Sequence, residues 1–210
     1  LKYPYYSARS RRKIVSDLKP HSREYFGVTS LLAAHPDMRK LKRSTSATHL
    51  HGNKLWGSAY ILMDYLQEHP LQPGSRVLEL GCGWGLASIY CAKYMGADVT
   101  ALDADPAVFP YLVLLADHNK TTINTLSGDF TSLSVEELAE YDIIIASDIC
   151  FWDEMSEALY ELIARAVDAG VKQILIADPH RPPFLDVAEA CIDDFFAELL
   201  LREVLLLTHI

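Results

Sequence analysis

Three glycines at alternate positions, Gly81, Gly83 and Gly85, follow the apolar run Val77-Leu78-Glu79-Leu80 and precede a helical pattern that begins at Leu86. A strand that ends in such a turn and opens into a helix lets a ligand come close to the backbone. No side chain stands in its way, and glycine accepts the φ > 0 such a turn requires. A dinucleotide would want a glycine or alanine three residues after the second glycine, and that position is Leu86. Glu79, just ahead of the turn, would repel a pyrophosphate and attract a cationic amino-acid group. Asp103, 22 residues after Gly81, ends the next strand pattern, where it can hydrogen-bond both hydroxyls of a ribose. Asp148 ends a later strand pattern on the ligand side of a parallel sheet, so it is the carboxylate best placed to orient an acceptor group and take its proton through water. Asp178 and His180 end a further strand, where they could line the same cleft, with His180 read first as a surface or packing residue. Asp153 and Glu154 suit the first turn of a helix, where the dipole favours acids.

The elements that must position these residues form an alternation of short apolar runs and helical patterns from residue 75 onward, the pattern of a parallel α/β sheet. Strands are expected at 76–80, 98–102, 123–126, 141–146 and 171–177, with a sixth at 201–207. Helices are expected over 86–94, 106–118, 154–167 and 184–196. Upstream, 55–66 carries apolar residues at helical spacing, Trp56 among them, and a further helix is expected over 23–34. The segment 44–48 reads as a loop. The expected architecture is α/β: a Rossmann-like, doubly wound, mostly parallel sheet with an N-terminal helical extension. The boundary is placed between a basic extension at 1–54 and the cofactor-binding domain at 55–210.

Composition narrows the function classes. The net charge of −9 conceals +9 over residues 1–54 and −18 over residues 55–210. Arg9, Arg11, Arg12 and Lys13, with the 39–43 cluster Arg-Lys-Leu-Lys-Arg, either neutralise part of the acidic body or dock an acidic partner. No nucleic-acid motif accompanies them, so a nucleic-acid partner is not expected. The four cysteines, Cys82, Cys91, Cys150 and Cys191, form no C-x-x-C pair and sit in apolar runs, which argues against a disulfide framework or a metal site and fits a cytoplasmic protein. No apolar run is long enough to span a bilayer and no secretory h-region opens the chain. No membrane partner is expected, and a monomer is favoured.

Residues 77–85, Val-Leu-Glu-Leu-Gly-Cys-Gly-Trp-Gly, resemble the first motif of the class I, seven-strand S-adenosylmethionine-dependent methyltransferases. Residues 55–66 resemble the tryptophan-bearing helix of one lineage, which contains small protein-lysine methyltransferases and was formerly grouped with nicotinamide N-methyltransferase. Residues 147–151, Ser-Asp-Ile-Cys-Phe, resemble its D-x-x-Y motif, and 177–182 its fifth-strand exit. The resemblance covers about residues 50–207.

It implies S-adenosyl-L-methionine as cofactor, held by Trp56, Glu79, Gly81, Cys82, Gly83, Gly85, Asp103, Asp129, Phe130 and Ser147. Asp129 would meet the adenine amino group and Phe130 the ring. Asp148 and Phe151 fall at the catalytic positions. Two departures stand out: Phe151 replaces the family's tyrosine and its phenolic hydroxyl, and no candidate for a seventh strand follows the sixth. The expected reaction is N-methylation of a protein lysine. A small amine as acceptor, or a non-catalytic cofactor-binding module, stay open as alternatives; a nicotinamide dehydrogenase fails at Leu86.

Overall fold

The computed structural model describes residues 20–45, 54–201 and 203–208. The basic residues Arg9 to Lys13 lie outside them. A parallel strand buried on both faces must be apolar on both, and the alternation along this sheet sends each half to a different core. Two short strands, β1 (Ser22–Tyr25) and β2 (Val28–Leu31), come first and pair antiparallel. They are followed by α1 (Pro36–Ser44) and α2 (Ser58–Glu68). The alternating unit then runs β3 (Arg76–Leu80), α3 (Leu86–Met95), β4 (Asp98–Asp103), α4 (Phe109–Asn119) and β5 (Asn124–Ser127). It continues through α5 (Val135–Leu138), β6 (Ile143–Ser147), α6 (Asp153–Asp168), β7 (Gln173–Asp178), α7 (Pro182–Leu201) and β8 (Glu203–Thr208).

Strands β3 to β8 form one sheet in the order β5-β4-β3-β6-β7-β8, with every pair parallel. Val77, Ile143, Ile145 and Leu175 face one core, against α2, α3 and α4. Leu78, Leu80, Ile144 and Ile176 face the other, against α6 and α7. The sheet is thus doubly wound as expected. Its order reverses between β3 and β6, and a crevice opens there beyond the strand ends.

Two expectations need correction. Where a helix is expected over 23–34, residues 22–31 form the β1–β2 hairpin instead. The turn residues Phe26 and Gly27 have φ of 51° and 76°, the pair of positive values a two-residue hairpin requires. The hairpin is also fixed from outside: the buried Asn119 side chain accepts from the Thr29 N–H and donates to its C=O, each at 2.8 Å. The Gly27 C=O accepts from Lys93 Nζ and the Tyr94 hydroxyl, both at 2.8 Å. The expected helix over 55–66 starts later, at Ser58, which leaves Trp56 in the turn ahead of it. An element not expected from sequence is α5, a single turn closed by a reciprocal capping box between Ser134 and Glu137.

Candidate active site

Gly81, Gly83 and Gly85 have φ of 58°, 53° and 67°, so the β3–α3 turn winds through the left-handed region at all three. Their surroundings differ. A Cβ on Gly81 would come 2.7 Å from Ile149 Cγ2, and one on Gly85 would come 2.6 Å from Leu112 Cδ1. A Cβ on Gly83 would meet no protein atom within 4 Å; it would stand in the cleft. Gly81 and Gly85 therefore serve packing, while Gly83 keeps a ligand surface open.

Around this turn lies a cavity of about 350 Å³ at the C-terminal ends of β3, β4 and β6. It brings together all twelve site residues expected from sequence: Trp56, Glu79, Gly81, Cys82, Gly83, Gly85, Asp103, Asp129, Phe130, Ser147, Asp148 and Phe151. Trp84, Trp152 and Glu154 join them. Among the described residues, the carboxylates of Glu79, Asp103, Asp129, Asp148 and Glu154 line the cavity against one cation, Lys54. Such a lining disfavours a pyrophosphate and suits a cationic ligand.

Glu79 is 2% exposed, and its Oε2 accepts from both the N–H and the hydroxyl of Ser88 in the first turn of α3. Burial outweighs those bonds and pushes its carboxyl up to about 7. Asp103 accepts from the Gly83 N–H at 2.8 Å and from the Asp105 N–H at 2.9 Å. Its pKa is raised, chiefly by burial. Asp129 is exposed and caps a 3₁₀ turn through the Thr131 N–H, with Phe130 half-buried beside it. Burial holds the Cys82 thiol well above its ordinary range, which makes it a poor nucleophile.

Asp148 has φ of 57°, unusual for a residue with a Cβ, and is 6% exposed. Three contacts impose that conformation: its N–H donates to the Ala177 C=O at 3.0 Å, its Oδ2 accepts from the Ser58 N–H at 2.9 Å, and its Oδ1 accepts from Arg181 Nη2 at 2.7 Å. Arg181 donates through Nη1 to Asp178 at 2.6 Å and lies 4.5 Å from the centroid of Phe151. Asp178 does not line the cavity. It is buried behind it and holds Arg181, and its pKa is raised chiefly by burial. Sequence reasoning missed Arg181, although Asp178 three residues earlier is a local sign of the pair. Phe151 meets Trp56 edge-on at 5.2 Å and Trp152 at 5.6 Å, forming an aromatic mouth in which Trp152 is 46% exposed.

A cofactor with a ribose and a cationic amino-acid end fits these residues, because Gly83 leaves open space and the acids flank it. A family model described as a methyltransferase domain matches residues 77–170. The chain is 29% identical over 166 residues to a protein N-terminal and lysine N-methyltransferase of Yarrowia lipolytica, covering 66% of this chain and 61% of that one. It is 30% identical over 132 residues to an electron transfer flavoprotein beta subunit lysine methyltransferase of Xenopus laevis, covering 61% and 52%. The chain thus spans little more than half the length of these relatives. Its fold is similar to that of the Pyrococcus abyssi tRNA (uracil-54, C5)-methyltransferase, with a TM-score of 0.55 and 16% identity over 80% of this chain and 36% of that one, a likeness that bears on the fold alone. No helix among the described residues is long and apolar enough to cross a membrane. Taken together, its motif, its sheet and these relatives support a class I S-adenosylmethionine-dependent methyltransferase, with the matched methyltransferase domain at residues 77–170.

Proposed function

We propose that this chain methylates nitrogen, with a lysine of a protein as acceptor. The observation that carries the reading is the cleft's lining, among the described residues, of five carboxylates and one cation, set around a glycine turn whose middle residue leaves room for a ligand. Glu79 would meet the amino-acid end of S-adenosylmethionine, Asp103 the ribose, and Asp129 and Phe130 the adenine. Trp56, Cys82 and Ser147 would close the remaining sides. When bound, the cofactor supplies an electrophilic methyl group on a sulfonium.

The chain's own residues must then bring a neutral amine into line. A lysine with an ordinary pKa near 10.4 costs about 4.6 kcal/mol to deprotonate at pH 7. Asp148 is suited to orient that amine. Ser58 and Arg181 each occupy one of its oxygens, yet a carboxylate has about four acceptor positions, so it can take a further N–H. Phe151 and Trp56 form an apolar wall beside it, which excludes water and holds the amine by its aliphatic stem. Positioning of this kind supplies about 7–11 kcal/mol in well-aligned displacements.

A protein acceptor is favoured over a small amine by the named activities of the relatives. Lysate incubated with methyl-labelled cofactor tests this. Label in high-mass bands supports it, and label confined to small molecules overturns the acceptor assignment.

A further inference from the structure

One side chain of the cleft has no part in the reaction described above. Lys54 lines the same cavity as Gly83, Ser147 and Phe151, and its Nζ lies 3.8 Å from the centroid of the Trp56 ring. Arg181 is the other cation at the Trp56–Phe151 pair, 6.0 Å and 4.5 Å from the two centroids. Two carboxylates fix it, and a guanidinium offers no lone pair. Lys54 differs on both counts. It is exposed, and among the described residues no carboxylate forms an ion pair with it. Its amine is held at the mouth of the cleft by an aromatic face, in the same chain and two residues from Trp56.

We propose that Lys54 is itself a methyl acceptor of this chain, an inference that rests on the reading of the cleft as the cofactor site. Its ammonium first loses a proton to solvent. The Nζ lone pair then forms an N–C bond to the methyl of the sulfonium donor as the C–S bond breaks, and that electron pair stays on sulfur as a neutral thioether. Tethering within the chain gives an effective concentration of about millimolar. The methylated ammonium keeps its charge and its attraction to the ring, as methyl-lysine in an aromatic cage does.

Two measurements on the 210-residue chain test this. In the cofactor-free chain, a carbon–proton correlation spectrum should show the Lys54 ε-methylene protons shifted upfield by the Trp56 ring current, and Trp56→Leu should abolish the shift. After incubation with S-adenosylmethionine, peptide mass mapping should find one or more added methyl groups on Lys54. The rate per chain should not depend on chain concentration, and Lys54→Arg, at an exposed position, should lose the modification while keeping its melting temperature. A calorimetric titration run alongside separates the failures. If the chain binds the cofactor and Lys54 stays unmodified, or another lysine carries the methyl, the inference is overturned and the function proposed above stands. If the chain binds no cofactor, both are overturned.

Discussion

Replacing Arg181 by methionine would leave the Asp148 and Asp178 carboxylates buried without their shared cation. Breaking such a pair from one side costs about 3–5 kcal/mol, so Arg181→Met is expected to unfold at much lower urea. The deficit should shrink as pH is lowered, because burial raises the Asp178 carboxyl and, once protonated, that group needs no counter-charge. A loss under about 1 kcal/mol by urea titration would mean that the clamp is dispensable. Burial acts on Glu79 in the same direction and raises its carboxyl from 4.5 to about 7. For an acid with a raised folded-state pKa, the favourable contribution is complete below about 4.5 and is lost as pH rises through about 7. A cationic ligand stabilises the ionised form and reverses that loss. The Kd for S-adenosylmethionine is therefore expected to fall about tenfold between pH 6 and pH 8, while Glu79→Gln gives a flat profile in calorimetry.

At the scale of elements, the β3–α3 turn separates packing from ligand contact within five residues. Gly85→Ala drives a Cβ into Leu112 and should destabilise the fold. Gly83→Ala meets no protein atom, so beyond about 1–2 kcal/mol for a left-handed residue its penalty should appear as lost cofactor affinity. Thermal melting and titration of the two variants separate these effects. Asn119→Ala removes both bonds to Thr29 and leaves that backbone amide and carbonyl unpaired. A cost of about 2 kcal/mol is expected, read as a lower urea midpoint with faster amide exchange confined first to β1 and β2. The hairpin was illegible in sequence for this same reason. Its pairing depends on an asparagine 90 residues away, and its apolar residues also fit a helical period. The parallel strands were legible because Ile143, Ile144 and Ile145 are apolar on both faces, as only a doubly covered strand requires. Arg181 was hidden in the same way as the hairpin, because its second carboxylate lies 33 residues away.

Across the whole molecule, charge is arranged at two levels. Arg39, Lys40, Lys42 and Arg43 stand exposed on α1, which packs on α4. The cleft, in contrast, is lined by acids. A Thr45–Tyr111 hydroxyl contact at 3.2 Å and the Tyr111–Trp84 stack at 5.1 Å connect the end of α1 to the cleft wall. The acids, the open face at Gly83 and the aromatic mouth all follow from where the sheet reverses its strand order, and they specify a cationic, ribose-bearing ligand. Calorimetric titration of the 210-residue chain with S-adenosylmethionine tests that most directly. The account predicts one saturable site whose affinity falls at least tenfold in Gly83→Ala. Absence of binding, or equal affinity in the variant, would contradict it.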